Sequence, residues 1–261
     1  MISVVMGFFN AASTVKKAVK SVIDGYEGEM EIILCDDAST DGSADEILSL
    51  NDNRITLIRN TENKGLGYCL RECVKLARGE FIVRMDADDV SLEGRIAKQI
   101  AFLEEHKEIA FCGTGAYLSY EGKRWGKRSF PPFPDVKVLL KRNPFIHPTV
   151  VFRKSALTEA GNYSADRKYL RCEDYELFFR MYAHGERGAN LEEFLLEYEE
   201  APFSKGKHTF STRLNECRVR RKGGRLLKAG LKGFLMSFYP VALYFLPRSI
   251  YKKLRFRMWA D

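Results

Sequence analysis

Two rhythms of apolar residues alternate through the first hundred positions. Short, mostly apolar runs at residues 2–6, 31–35, 54–59 and 81–85 have the make-up of buried strands. Between them, Val15, Ala18, Val19, Val22 and Ile23 recur at helical spacing, and so do Leu66, Leu70, Cys73, Val74 and Ala77. Each set draws one apolar stripe along a helix, and Gly25 and Gly79 stand where those helices stop. Residues 44–50 fit a shorter helix. Strand and helix therefore alternate at intervals of roughly 20–30 residues, the pattern of βαβ units around a mostly parallel sheet flanked by helices.

Further on the pattern loosens. Ile96, Ile100 and Leu103 mark another helix, and residues 109–118 read as a strand with Gly113 and Gly115 inside it. Phe130-Pro-Pro-Phe-Pro134 is a stiff loop, 135–142 a short helix and 155–160 a helical turn. Residues 171–182 open a helix whose Leu177, Phe178 and Met181 face inward. Near the end comes an apolar run at 234–246, interrupted by Pro240 and flanked by Arg220-Arg-Lys222 and the basic residues 252–257. It is short of the roughly 20 residues that span a bilayer. The expectation is a basic, amphipathic helical tail lying in a membrane interface, with Phe238, Tyr239, Tyr244 and Trp259 at headgroup level.

Length and charge sharpen this picture. A chain of 261 residues suits one large α/β domain with an appendage. The expected division is a domain at 1–217, in two halves at about 1–110 and about 111–217, and a tail at 218–261. The net charge of +7 sits entirely in that tail, which carries 12 Lys and Arg against one acid. The preceding 217 residues hold 30 basic and 34 acidic side chains, a net −4, which argues against a nucleic-acid enzyme. The six cysteines form no Cys-x-x-Cys pair and read as reduced core residues. With no basic region and long apolar stretch at the start, the expected location is the cytoplasm, with the tail on the inner face of the membrane.

The candidate chemistry lies at strand ends. Residues 80–89 read Glu-Phe-Ile-Val-Arg-Met-Asp-Ala-Asp-Asp, an apolar strand running into carboxylates. On an extended chain Asp86 and Asp88 point to one side, and two such acids repel unless a cation lies between them. Hard oxygen ligands suit Mg²⁺ or Mn²⁺, which share their coordination with substrate phosphates. Asn10 and Asp37 follow the first two strands. In open α/β sheets ligands bind where such ends converge. No Gly-x-Gly-x-x-Gly and no Walker lysine loop is present, which disfavours a dehydrogenase or a P-loop kinase. His147 stands between loop and strand, as either a structural histidine or a site residue. Glu173 and Asp174 fall in a first helical turn, where acids also simply complement the dipole.

Six segments carry a resemblance: Ser3–Asn10, Cys35–Gly42, Asn60–Gly67, Arg84–Asp89, His147–Arg153 and Glu173–Tyr175. In this order and spacing they make residues 1 to about 200 similar to bacterial glycosyltransferase family 2, the inverting enzymes of the GT-A fold. The resemblance implies a sugar transferase acting on a nucleotide-sugar, UDP- or TDP-linked for preference, and on a glycan or lipid-linked glycan acceptor in cell-surface polysaccharide or lipopolysaccharide synthesis. It places Gly7, Phe9 and Asn10 in the first nucleotide loop, Asp37 on the base, and Asp86 and Asp88 at the metal and diphosphate. Asp174 matches the general base, and His147 and Glu173 fall near the sugar or acceptor. The chain departs from the family pattern at Gly7, Ala38 and Leu92-Glu93, and it lacks the Gln-x-x-Arg-Trp motif of processive synthases. Two other readings remain: a sugar-phosphate nucleotidyltransferase, disfavoured because no glycine- and arginine-rich loop follows the first strand, and a catalytically silent GT-A scaffold at the membrane, disfavoured because Asp37, Asp86, Asp88 and Asp174 are all retained.

Overall fold

The computed structural model describes residues 1–201 and 209–245. Its first portion follows the expected alternation: β1 (Ile2–Phe8), α1 (Val15–Asp24), β2 (Met30–Asp36), α2 (Ser43–Leu48), β3 (Ile55–Arg59), α3 (Leu66–Leu76) and β4 (Phe81–Arg84). β1, β2 and β4 are buried along their whole lengths, which is why they read as near-continuous apolar runs. Side chains alternate across the sheet. Val5, Ile33 and Ile82 enter the core on one face, and Val4, Ile32 and Val83 the core on the other.

The remaining elements are β5 (Val90–Ser91), α4 (Arg95–Glu105), β6 (Phe111–Tyr120), β7 (Lys123–Arg128), α5 (Val136–Lys141), β8 (Val151–Arg153), α6 (Lys154–Glu159), α7 (Glu173–Ala183), β9 (Gly188–Glu199), α8 (Phe210–Leu226), α9 (Gly230–Met236) and α10 (Tyr239–Tyr244). The sheet order is β3-β2-β1-β4-β8-β6-β9-β5, with β7 hairpinned onto β6. The parallel half ends at β4. β8 then runs antiparallel to both β4 and β6, while β9 lies parallel to β6, so the second half of the sheet is mixed.

Three differences from the sequence reading have physical causes. The strand expected at 109–118 runs on to Tyr120 and turns at Glu121 and Gly122, with φ of 50° and 76°, into a hairpin with β7, which the sequence pattern does not mark. β9 has no counterpart in the sequence pattern because Glu192, Glu193, Glu197 and Glu199 interrupt its apolar positions. Its pairing with β6, not its own propensity, makes it a strand. The division expected at 217/218 falls inside α8, which runs on to Leu226.

α8 packs on the catalytic core. Arg220 is buried, donating to the Leu140 and Lys141 carbonyls at 3.2 and 2.8 Å and pairing with Glu216, and a side chain at Gly223 would collide with the Phe179 ring. Glu176 of α7 joins the two helices by accepting from Arg180 at 2.8 Å and Lys222 at 2.6 Å. α7 is held in turn by Phe178, stacked on Phe111 at 5.1 Å between ring centres. Leu246, residues 252–257 and Trp259 of the expected membrane segment lie outside the described residues. No helix among the described residues is long and apolar enough to cross a membrane.

Candidate active site

β1, β2 and β4 are aligned so that Phe8 sits opposite Asp36 and Val5 opposite Arg84. Their carboxyl ends therefore finish on one rim, and the loops that follow them surround a cleft of about 740 Å³. Gly7, Phe9, Asp37, Asp86, His147, Glu173 and Asp174 all line it. Residues far apart in sequence are brought together because α7 starts on the same side of the sheet as β4 ends.

At one end of the cleft, Asp37 is fixed by three donors. Asn60 Nδ2 and the backbone N–H groups of Lys64 and Gly65 reach its carboxylate at 2.8 Å each. The loop ahead of α3 is thereby tied to the end of β2. Phe9, 49% exposed, presents a free aromatic surface at the mouth, and Gly7 is required because a Cβ there would lie 2.8 Å from that of Cys69. Asn10 is among the expected nucleotide contacts but does not line the cleft. Its side-chain oxygen accepts from Thr40 N at 2.9 Å and its own N–H donates to Ser39 Oγ, so it braces the loop after β2. Ala38, one of the departures from the family pattern, has φ of 65°, in the left-handed region that glycine adopts without strain.

The acids after β4 form a tighter group than the extended-chain argument anticipates. The chain turns, with Asp89 N donating to Asp86 O at 3.5 Å, and one carboxylate oxygen each of Asp86, Asp88 and Asp89 lies within 4.8 Å of the others. Asp88 is exposed, Asp86 half-buried and Asp89 buried. Asp89 accepts from Glu199 N at 2.9 Å, while its Oδ2 is buried with no hydrogen-bond partner. Burial first, then the charges of Asp86 and Asp88, holds its pKa well above the carboxylate range. Three hard oxygen donors gathered this closely fit a divalent cation such as Mg²⁺ or Mn²⁺.

Facing these acids across the cleft are Glu173 and Asp174 in the first turn of α7. Asp174 accepts from Asn143 Nδ2 at 2.7 Å. Burial raises its pKa, opposed by the helix N-terminal amide of Tyr175 and by the Arg84 charge. Glu173 is pushed up to about 7 by burial and by Asp174, and its Oε2 has no partner. His147 is held neutral by burial and by Arg84, and its Nε2 lies 2.8 Å from the Tyr163 hydroxyl. Arg84 itself, 1% exposed, pairs with Asp86. Sequence reasoning gave no role to Arg84, Asp89, Asn143 or Tyr163. A charge inside the run Phe-Ile-Val-Arg-Met was a signal for Arg84. Asn143 offered none.

This arrangement has counterparts. The model of glycosyl transferase family 2 matches residues 3–170. EpsE of Bacillus subtilis, a glycosyltransferase by name, is 33% identical over 252 residues, 95% of this chain and 91% of EpsE. The UDP-Glc:alpha-D-GlcNAc-diphosphoundecaprenol beta-1,3-glucosyltransferase WfaP of Escherichia coli is 29% identical over 190 residues, 73% of each chain. Among solved structures, S. aureus TarS 1–349 in complex with UDP-GlcNAc superposes with a TM-score of 0.69 at 17% identity, covering 91% of this chain and 72% of that one. The mannosyltransferase PcManGT of Pyrobaculum calidifontis, in complex with GDP-Man and Mn²⁺, gives 0.65 at 17%, covering 92% and 74%. At these identities the solved structures speak to the fold alone, and it is the expected GT-A fold, with helices flanking a sheet that is mixed where a mostly parallel one was expected. With the family model matching residues 3–170, more than half of the chain, and a relative 33% identical across 95% of it, the chain belongs to glycosyl transferase family 2.

Proposed function

We propose that this glycosyltransferase moves a sugar from a nucleotide-sugar, UDP- or TDP-linked for preference, to a hydroxyl of a lipid-linked glycan, with inversion at the anomeric carbon. The observation that carries the reading is that Asp37, Asp86, Glu173 and Asp174 line a single cleft, with Asp88 beside it. Asp37 accepts from a ring N–H of the base and Phe9 stacks on it. A divalent ion held by Asp86 and Asp88 would offset the charge that gathers on the departing diphosphate.

Asp174 takes the proton of the acceptor hydroxyl as its oxygen bonds to the anomeric carbon. The bond from that carbon to the phosphate oxygen breaks, and the nucleoside diphosphate leaves with the electron pair. Attack from the side opposite the leaving group inverts the centre. A base with a raised pKa suits this step, and Asn143 keeps the carboxylate aimed. The test is nucleoside diphosphate release from UDP-, TDP- and GDP-sugars with Mn²⁺. Release that is lost in Asp88→Ala supports the reading, and no release from any donor contradicts it.

Two relatives support the partners. TarS was solved with UDP-GlcNAc, and WfaP acts by name on a diphosphoundecaprenol-linked sugar. The C-terminal helices support a place at the cytoplasmic face of the membrane. Leu231, Leu235 and Phe245 are 73, 61 and 72% exposed in the segment after α8, and the α8 cation Arg221 lies over the Phe234 ring at 5.0 Å. Apolar and aromatic side chains beside basic ones favour an anionic lipid surface. Truncation at residue 217 would sever α8, so the test uses Leu231→Asp/Leu235→Asp in the full chain. Sedimentation with anionic vesicles that falls with salt and with this double substitution is expected. No sedimentation at low salt would remove the membrane from the account.

A further inference from the structure

Arg84 poses a question that the assignments above leave open. It is among the largest of the fully buried side chains and lines the cleft, yet only Nη2 has a hydrogen-bond partner, Asp86. Nε and Nη1 are buried with none. Leaving buried donors unpaired is costly, more so on a charged group, and each such group calls for an explanation. Glu173 Oε2, across the same cleft, is a second buried polar atom without a partner. Unspent donors on a cation and an unspent carboxyl oxygen thus serve one space. The cleft that holds it is also lined by Asp86, assigned to the leaving diphosphate, and Asp174, assigned to the acceptor.

We propose that Arg84, together with Glu173, grips hydroxyl groups of the transferred sugar and so determines which sugar is accepted. The chemistry selects among ligands. A phosphate only accepts hydrogen bonds and carries charge, so Glu173 and Asp174 would repel it. A sugar hydroxyl both donates and accepts, which satisfies the guanidinium and the carboxyl at once. Asp86 anchors Arg84 by one nitrogen and leaves the others for the ring. Substrates without the matching hydroxyl would strand the same buried groups, the situation in which sites discriminate most strongly. This inference rests on the donor reading above.

The experiment separates sugar from phosphate. Affinities for UDP, UDP-glucose, UDP-galactose, UDP-GlcNAc and GDP-mannose are measured with Mn²⁺ for the wild type, Arg84→Gln and Arg84→Lys, each with its melting temperature. The expected result is UDP affinity within about threefold of wild type, with kcat/KM for the best donor reduced about 10- to 100-fold, the range of a hydrogen bond to a charged group. A second arm uses monodeoxy analogues of that donor. At one ring position the wild type loses about 100-fold, and Arg84→Lys loses much less, a coupling that mere destabilisation does not produce. Equal losses for UDP and the sugar nucleotide would make Arg84 a phosphate ligand and overturn the proposal. So would unchanged kinetics in both variants, or a wild type indifferent to every deoxy analogue. If the wild type bound none of the nucleotides, the donor reading itself would fall, a result distinct from these and fatal to both.

Discussion

Glu173 offers a test of the site's electrostatics that needs no substrate. Its carboxyl, ordinarily titrating at 4.5, is pushed up to about 7 by burial and, next, by the charge of Asp174; the nearby Arg84 works the other way and Asp86 adds to the rise. For an acid whose pKa is raised by folding, the folded state holds the proton more tightly than the unfolded chain. Both forms are protonated below about 4.5, so there is no penalty there. Stability is then lost as pH rises from 4.5 through about 7, where the penalty becomes complete. The gap corresponds to about 3 kcal/mol. Glu173→Gln keeps the size and removes the charge. The variant should match the wild type within about 1 kcal/mol at pH 5 and exceed it by up to about 3 kcal/mol at pH 8.5. For a chain of this size that is a rise in melting temperature of about 6–10 °C. The assay is thermal unfolding of both proteins in EDTA between pH 5 and 8.5. A difference that does not change with pH, or a variant less stable at pH 8.5, would refute the reasoning.

Three further outcomes follow from the geometry. Asp174→Asn should lower transfer by about 10²- to 10⁴-fold while leaving UDP affinity with Mn²⁺ within about threefold; transfer at the native rate would remove Asp174 as the base. Asp37→Ala strips the acceptor from Asn60, Lys64 and Gly65, so it should cost about 2–3 kcal/mol of stability and about tenfold in UDP affinity; unchanged calorimetric affinity would sink its role at the base. Ala38→Gly should stabilise the protein by about 1 kcal/mol, because φ of 65° strains alanine and not glycine; an unmoved urea midpoint would contradict this.

The first half of the fold was legible because burial on both faces writes itself into the chain as unbroken apolar runs, as in β1 and β2. The helices between them were legible as stripes, Val15, Ala18, Val19 and Val22 all being buried in α1 as their spacing requires. β9 was not, because a glutamate-rich segment becomes a strand only once β6 is beside it. The same limit applies within the site. Asp86 and Asp88 could be paired from their spacing, but Asp89 joins them through a turn and a bond from Glu199, 110 positions away. Asp37 could be picked out as an acid at a strand end. That its carboxylate also holds the loop of Asn60–Gly65 is decided by tertiary structure. Asn10 shows the converse: a polar residue in the expected place whose side chain is used within the scaffold.

The central claim is that the acids after β4 hold a nucleotide's diphosphate through a divalent ion. The most direct measurement is calorimetric titration of UDP into the full chain, with Mn²⁺ and with EDTA, for the wild type and Asp88→Ala. The account predicts saturable binding for the wild type that requires Mn²⁺, and none for Asp88→Ala at the same concentrations. Equal binding by the two proteins, or UDP binding indifferent to the metal, would contradict it.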